Sequence, residues 1–176
     1  MKLLLPSAAG ALALALAACG DGKADAAKKM AAAADSTRMA AMVDLSAHHM
    51  PLMLEMPDGL PGPALLWKDE IGKLSVRAGD RFALDIHEAP ADLGRLKADL
   101  DRDLLKRNTI VEETPDLLIY RSEFPDDTAL VSFHFNRSIT VGDRTFQVED
   151  APDDGAFFTL DQIKRMAAAV RPKPAA

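Results

Sequence analysis

The stretch "DRFALDIHEAPADLGRLKADLDRDLLKR", residues 80–107, changes its hydrophobic period half-way along. Phe82, Leu84 and Ile86 alternate with Ala83, Asp85 and His87, the period of two expected of a strand with one buried face. After Pro90 the spacing lengthens, and Leu93, Leu96, Leu100 and Leu104 fall on one helical stripe. Pro90 suits a first helical turn. Asp92 suits the positive end of a helix dipole, and Lys106 and Arg107 the negative end. A strand running into an amphipathic helix is therefore expected, and its flanks decide the fold class.

Upstream, "MPLMLEM" (residues 50–56) puts Met50, Leu52, Leu54 and Met56 on one face of a strand, with Met53 and Glu55 on the other. "PDGLPGP" is a loop by its Pro and Gly content, and "ALLWK" and "KLSVR" are short strands joined through "DEIG". Downstream come four more strand segments: "TIVEET", "DLLIYRSE", "ALVSFHFN" and "RTFQVED". The third alternates Val131, Phe133 and Phe135 against Ser132, His134 and Asn136. Gly142 at the centre of Val141–Asp143 predicts a hairpin before the last strand. The closing segment opens with Thr159-x-x-Gln162, a capping-box pattern, and buries Leu160, Ile163, Met166, Ala167 and Val170. The order is strands, helix, strands, helix. Strands that cluster rather than alternate with helices predict an α+β domain, mainly antiparallel sheet packed with two helices.

"LEMPDGL", then Trp67, then "LSVRAGDRFALDIHE" before a Leu-striped helix, and the finish "FTLDQIKRMAAAV", resemble the PsbP/Mog1-type sandwich over residues 50–171. That group includes envelope lipoproteins and partners of other proteins. The resemblance implies a binding domain and carries no catalytic motif to transfer.

The first residues follow another pattern. Lys2 precedes an uninterrupted run of apolar and small residues up to Cys19, the layout of a secretory signal. Leu16-Ala17-Ala18-Cys19 resembles the bacterial lipobox, and Cys19 is the only cysteine in the chain. The resemblance implies cleavage before Cys19 and a diacylglyceryl group on its sulfur, with acylation of the new amine. An uncleaved anchor, or a plain signal peptide with a chance cysteine, is the bland alternative. Gly20 after the cysteine points to the periplasmic face of an outer membrane. Losing residues 1–18 removes the single charge of Lys2 and takes the net charge from −6 to −7. Residues 19–47 are alanine-rich and lightly charged and read as a tether, part helix and part disordered. The expected division is signal 1–18, lipidated tether 19–47, domain 48–171 and tail 172–176.

Charge and motifs exclude more than they assign. A pI near 5.2 with no basic stripe argues against nucleic-acid binding. The chain contains no G-x-S-x-G, no H-E-x-x-H and no phosphate-cradling glycine loop, so no enzyme and no cofactor is expected. His48, His49, Met50, Met53 and Met56 are the residue types that Cu(I) selects. A strand splits these methionines over two faces, however, and methionine is an ordinary core filler, so core and linker is the reading preferred here. His87 and His134 are expected on outward strand faces, and "DAPDDG" and "FPDD" as turns. The expected protein is a lipid-anchored envelope lipoprotein, held to the membrane through Cys19. Its domain acts as a non-catalytic binding or accessory module for an envelope protein. The rivals are an immunity-type inhibitor of a periplasmic toxin and a Cu(I)-handling lipoprotein.

Overall fold

A computed structural model describes residues 24–31, 41–90, 92–153 and 156–174. The expected signal and lipobox, residues 1–19, lie outside the described residues. Residues 24–31 form a fully exposed helix, α1, as their alanine content favours. No helix among the described residues is long and apolar enough to cross a membrane.

A second compact unit starts at Met42. It contains β1 (Val43–Asp44), β2 (Leu52–Leu54), β3 (Ala64–Lys68), β4 (Lys73–Arg77) and β5 (Ala83–Glu88), then helix α2 (Leu93–Asp101). Next come β6 (Arg107–Thr114), β7 (Leu117–Phe124), β8 (Asp127–Val141) and β9 (Arg144–Asp150), then α3 (Leu160–Ala169) and β10 (Val170–Pro172). Seven strands form one antiparallel sheet in the order β3-β4-β5-β9-β8-β7-β6. It consists of two meanders: α2 carries the chain from β5 to the far edge, and β9 returns to pair with β5. The fold is thus α+β with mainly antiparallel sheet, as the clustered strands predict.

The alternation read from the sequence sets which face is buried. Leu74, Val76, Leu84, Ile86, Phe135, Ile139, Phe146 and Val148 form one apolar face. It packs against α3, through Ile163 and Met166, against Leu52 and Leu54 of a small three-stranded sheet, β1-β2-β10, and against Leu45, which follows β1. Gly142, with φ 64°, opens the two-residue β8–β9 loop, where a positive φ at the first position matches the twist of the strands. The capping box at Thr159 and Gln162 forms as expected. Beyond α3, toward β6, the core face stays open as a groove of about 470 Å³ lined by Leu117, Ile119, Arg137, Lys164 and Ala167.

Several boundaries differ from the sequence reading: α2 starts after an Asp92 N-cap, past Pro90, β8 runs from Asp127 to Val141, and three further differences bear on the packing. The domain begins before residue 48: Met42 and Leu45 are buried, and β1 pairs with β2. At the other end Val170 leaves the helix, and β10 pairs with the other side of β2 and takes in Pro172, assigned above to the tail. Lys173 then reaches Asp44 at 2.6 Å, and its hydrogen bond holds the Asp44 carboxyl down to about 2. Strands of two and three residues carry too little periodicity to read. The third difference is α2, which stops at Asp101. The Arg102 N–H turns back to the Asp99 carbonyl (3.2 Å), and the Asp103 carboxylate takes the N–H groups of Leu105 (2.8 Å) and Lys106 (3.1 Å). A short acidic side chain that bonds its own backbone competes with the helix ladder, and here it wins. Leu104 is 96% exposed, so the stripe is only Leu93, Leu96 and Leu100, all half-buried. Lys97–Glu113 (2.7 Å) and Asn108 on the Leu100 carbonyl (3.0 Å) hold α2 to β6.

Arg137 sits in the apolar row of β8 between Phe135 and Ile139. Its guanidinium donates to the carbonyls of Ala167 (2.7 Å) and Val170 (3.1 Å). The last carbonyls of a helix lack intrahelical partners, and a cation suits the negative end of the dipole. Arg137→Met should lower stability by roughly 1.5–3 kcal/mol, the worth of charged hydrogen bonds, read as a lower urea midpoint. An unchanged midpoint would mean that apolar packing alone seats α3.

Candidate functional site

The sheet face away from α3 carries polar side chains. Lys73 bridges Asp85 (3.2 Å) and Glu149 (3.6 Å), and Arg77 lies 3.5 Å from Asp85. His87 is half-buried and stands opposite Lys73 and Gln147; its Nδ1, like Ser75 Oγ, has no hydrogen-bond partner among the described residues. His134 makes the most defined arrangement. Its Nδ1 lies 2.8 Å from Asp150 Oδ2, and its Nε2 lies 2.9 Å from Ser132 Oγ. Asp150 is 3% exposed and also accepts the Phe135 N–H at 2.7 Å.

Ser132, His134 and Asp150 have the connectivity of a hydrolytic triad. The local topology accounts for it in another way. β8 outruns β9, whose last pairing with it is Asn136 with Glu149. Past that point Phe135 has no strand partner on this side, and the Asp150 carboxylate takes its N–H instead. Neither Ser132 nor His134 lines the cavities beside α3, beside Pro172 or beside Trp67. In this position the trio closes the end of a ladder. Asp150→Ala should cost about 1–3 kcal/mol, the penalty for stranding buried donors. The intact chain should not react with a fluorophosphonate, and labelling of Ser132 would make the trio catalytic.

Tyr120, the chain's sole tyrosine, stacks on His134 with ring centroids 5.3 Å apart. Burial pushes its phenol well above the ordinary range, and the charges of Asp150 and Glu149 add to the shift. The folded state keeps the proton after the unfolded chain has lost it. Stability contributed by Tyr120 is thus intact below about pH 10 and falls as pH rises beyond it. An ultraviolet titration should show phenolate appearing only together with unfolding. Phenolate at the ordinary pH in a folded chain would contradict this.

The histidine–methionine stretch lies elsewhere, at the β3 end of the core face. A 3-10 turn, Ser46–His48, ends at His49, whose φ of 61° and ψ of 18° are left-handed. It is the one non-glycine with positive φ among the described residues. Strain of that kind costs about 1–3 kcal/mol and persists only where the surroundings impose it. The Leu52 N–H then closes on the Met50 carbonyl at 2.7 Å. This tight path buries Met50 and brings the His48 ring to 6.1 Å from Trp67.

His48, His49, Met50, Trp67, Glu88, Arg144 and their neighbours enclose a cavity of about 290 Å³. Arg144 grips Glu88 with two bonds, Nε to Oε1 at 3.1 Å and Nη2 to Oε2 at 2.7 Å, which hold the Glu88 carboxyl below its usual range. The same guanidinium lies over the Phe146 ring at 4.9 Å. The Trp67 indole N–H donates to the Asp69 carboxylate. Of the five residues considered for Cu(I), the structure brings His48, His49 and Met50 to this cavity. Met53 is on the opposite side of β2 from Leu52 and Leu54, and Met56 packs on the core. Among the described residues no group of three or more His, Cys, Asp or Glu is placed to hold a metal.

Sequence reasoning passed over Asp150, Ser132, Glu88, Arg144 and the role of Trp67. Ser132 and His134 share a face by simple alternation. No local signal joins Asp150 to them, or Arg144 to Glu88. No family model matches the chain, no curated protein matches it in sequence, and no solved structure matches it.

Proposed function

We propose that this chain is a lipid-anchored envelope protein whose α+β domain is a non-catalytic binding module. The observation that carries the proposal is Leu16-Ala17-Ala18-Cys19, with the chain's one cysteine where lipid attachment needs it. The boundary between compact units at Met42, well past Cys19, is in keeping with it. Two or three acyl chains, at about 0.8 kcal/mol per buried methylene, keep a protein on a membrane. Anchoring raises the domain's effective concentration near its envelope partner. The periplasmic face of an outer membrane is the location that Gly20 favours. We assign the domain to the PsbP/Mog1 type on its order of strands, Leu-striped helix, long hairpins and terminal helix.

Replacing the cysteine tests this directly. In cells fed labelled palmitate, the native chain should carry label and sediment with membranes. Cys19→Ser should lose the label and, with no lipidated cysteine to direct cleavage, keep residues 1–18 and run as a heavier band. A native chain that carries no label, or a Cys19→Ser chain that keeps it, would end the lipoprotein reading.

A further inference from the structure

The cavity beside Trp67 has a size, a wall and a rim that together select a class of ligand. Its volume of about 290 Å³ is roughly ten times the 30 Å³ share of one water. That is far too large for a single ion and close to the lower bound, about 300 Å³, of small-molecule sites. An organic ligand of one ring fits it.

The wall is aromatic, from Trp67 and His48, whose rings are tilted by 31°. The buried Met50 and Phe146 add apolar surface. The rim is charged but balanced. Arg144 uses two of its five N–H groups on Glu88, so three donors remain, and the carboxylate keeps spare lone pairs beside them. Such a pair offers donors and acceptors side by side with no net charge. His49, exposed and strained, borders the same opening.

Three kinds of small organic ligand can be compared on this surface. A planar aromatic would use the wall and leave the rim idle. An amino-acid zwitterion would match the two charges only by breaking the Arg144–Glu88 fork. A sugar uses both features at once. One face of a pyranose presents C–H groups to an aromatic ring, and each hydroxyl both donates and accepts. Vicinal hydroxyls can therefore bridge the guanidinium and the carboxylate without parting them.

We propose that the cavity lined by His48, His49, Met50, Trp67, Glu88 and Arg144 is a binding site for a neutral pyranose ring, with the sugar against Trp67 and its hydroxyls on Arg144 and Glu88. The source of the ring, a polymeric cell-wall glycan, rests on the envelope reading; the sugar site does not.

Trp67 is the chain's only tryptophan, so intrinsic fluorescence reports on this cavity alone. The full chain in detergent is titrated with N-acetylglucosamine and, separately, sedimented with purified cell-wall sacculi. A saturable fluorescence change is expected, with a dissociation constant of order millimolar for one sugar. Glu88→Ala, at the exposed end of β5, should weaken it at least about tenfold with the melting temperature unchanged. If that variant does not fold, Glu88→Gln keeps the shape, removes the charge and should weaken binding in the same direction. Co-sedimentation with sacculi supports the site and makes the glycan its source, and a response to the free sugar alone supports the site with a soluble ligand. No response to either probe overturns the proposal, as does binding that Glu88→Ala leaves untouched. A response to Cu(I), in a chain blind to sugar, also overturns it and returns the cavity to metal. Because palmitate labelling of Cys19 is read separately, failure here leaves the anchor untouched, and the converse holds.

Discussion

One constraint governs this fold: a wide sheet has to be covered by very little material. Seven strands at about 4.8 Å span roughly 29 Å across. The ten residues of α3 make a rod about 15 Å long and about 10 Å wide. One such helix cannot seal the apolar face. The chain recruits its own two ends to finish the work, with β1 and β2 from one side and β10 from the other. Even so, the cover stops short at both margins. The groove past α3 and the cavity beside Trp67 are where it runs out.

The opposite face follows from the same shortage. α2 is short, half-buried and pinned to the β6 edge, so among the described residues of this unit most of that face has no second layer. It is built instead from interlocking charges: Lys73, Asp85, Arg77 and Glu149, with His134 and Asp150 at the end of the β8 ladder. The resemblance of Ser132, His134 and Asp150 to a hydrolytic triad arises from this. An extended strand needs something to take its unmatched N–H, and a buried carboxylate needs a second donor.

Long periodic segments were legible in the sequence. The alternation of Phe82, Leu84 and Ile86, the hairpin at Gly142 and the capping box at Thr159 all form as their local chemistry dictates, and the clustering of strands named the class. What escaped depends on distance along the chain. Residues 43–44 and 170–172 become strands only because each finds β2, and nothing local marks them. The early stop of α2 hung on one side chain, Asp103, which bonds to its own backbone. For the candidate site, His48 and His49 stood out by residue type. Glu88 and Arg144, 56 positions apart, meet only through the pairing of β5 with β9.

The closure of the small sheet has a mechanical side. Both strands flanking β2 lie at the margins of the second unit, and β1, two residues long, lies directly after the segment that leads back to residue 19. Any pull on that segment is delivered to β1 first. The load then passes to the Asp44–Lys173 clasp, a charged link across the two margins of the unit. A domain loaded from this side yields from its N-terminal margin, one short pairing at a time. The meanders of the large sheet, far along the path of force, stay closed while the small sheet takes up the strain.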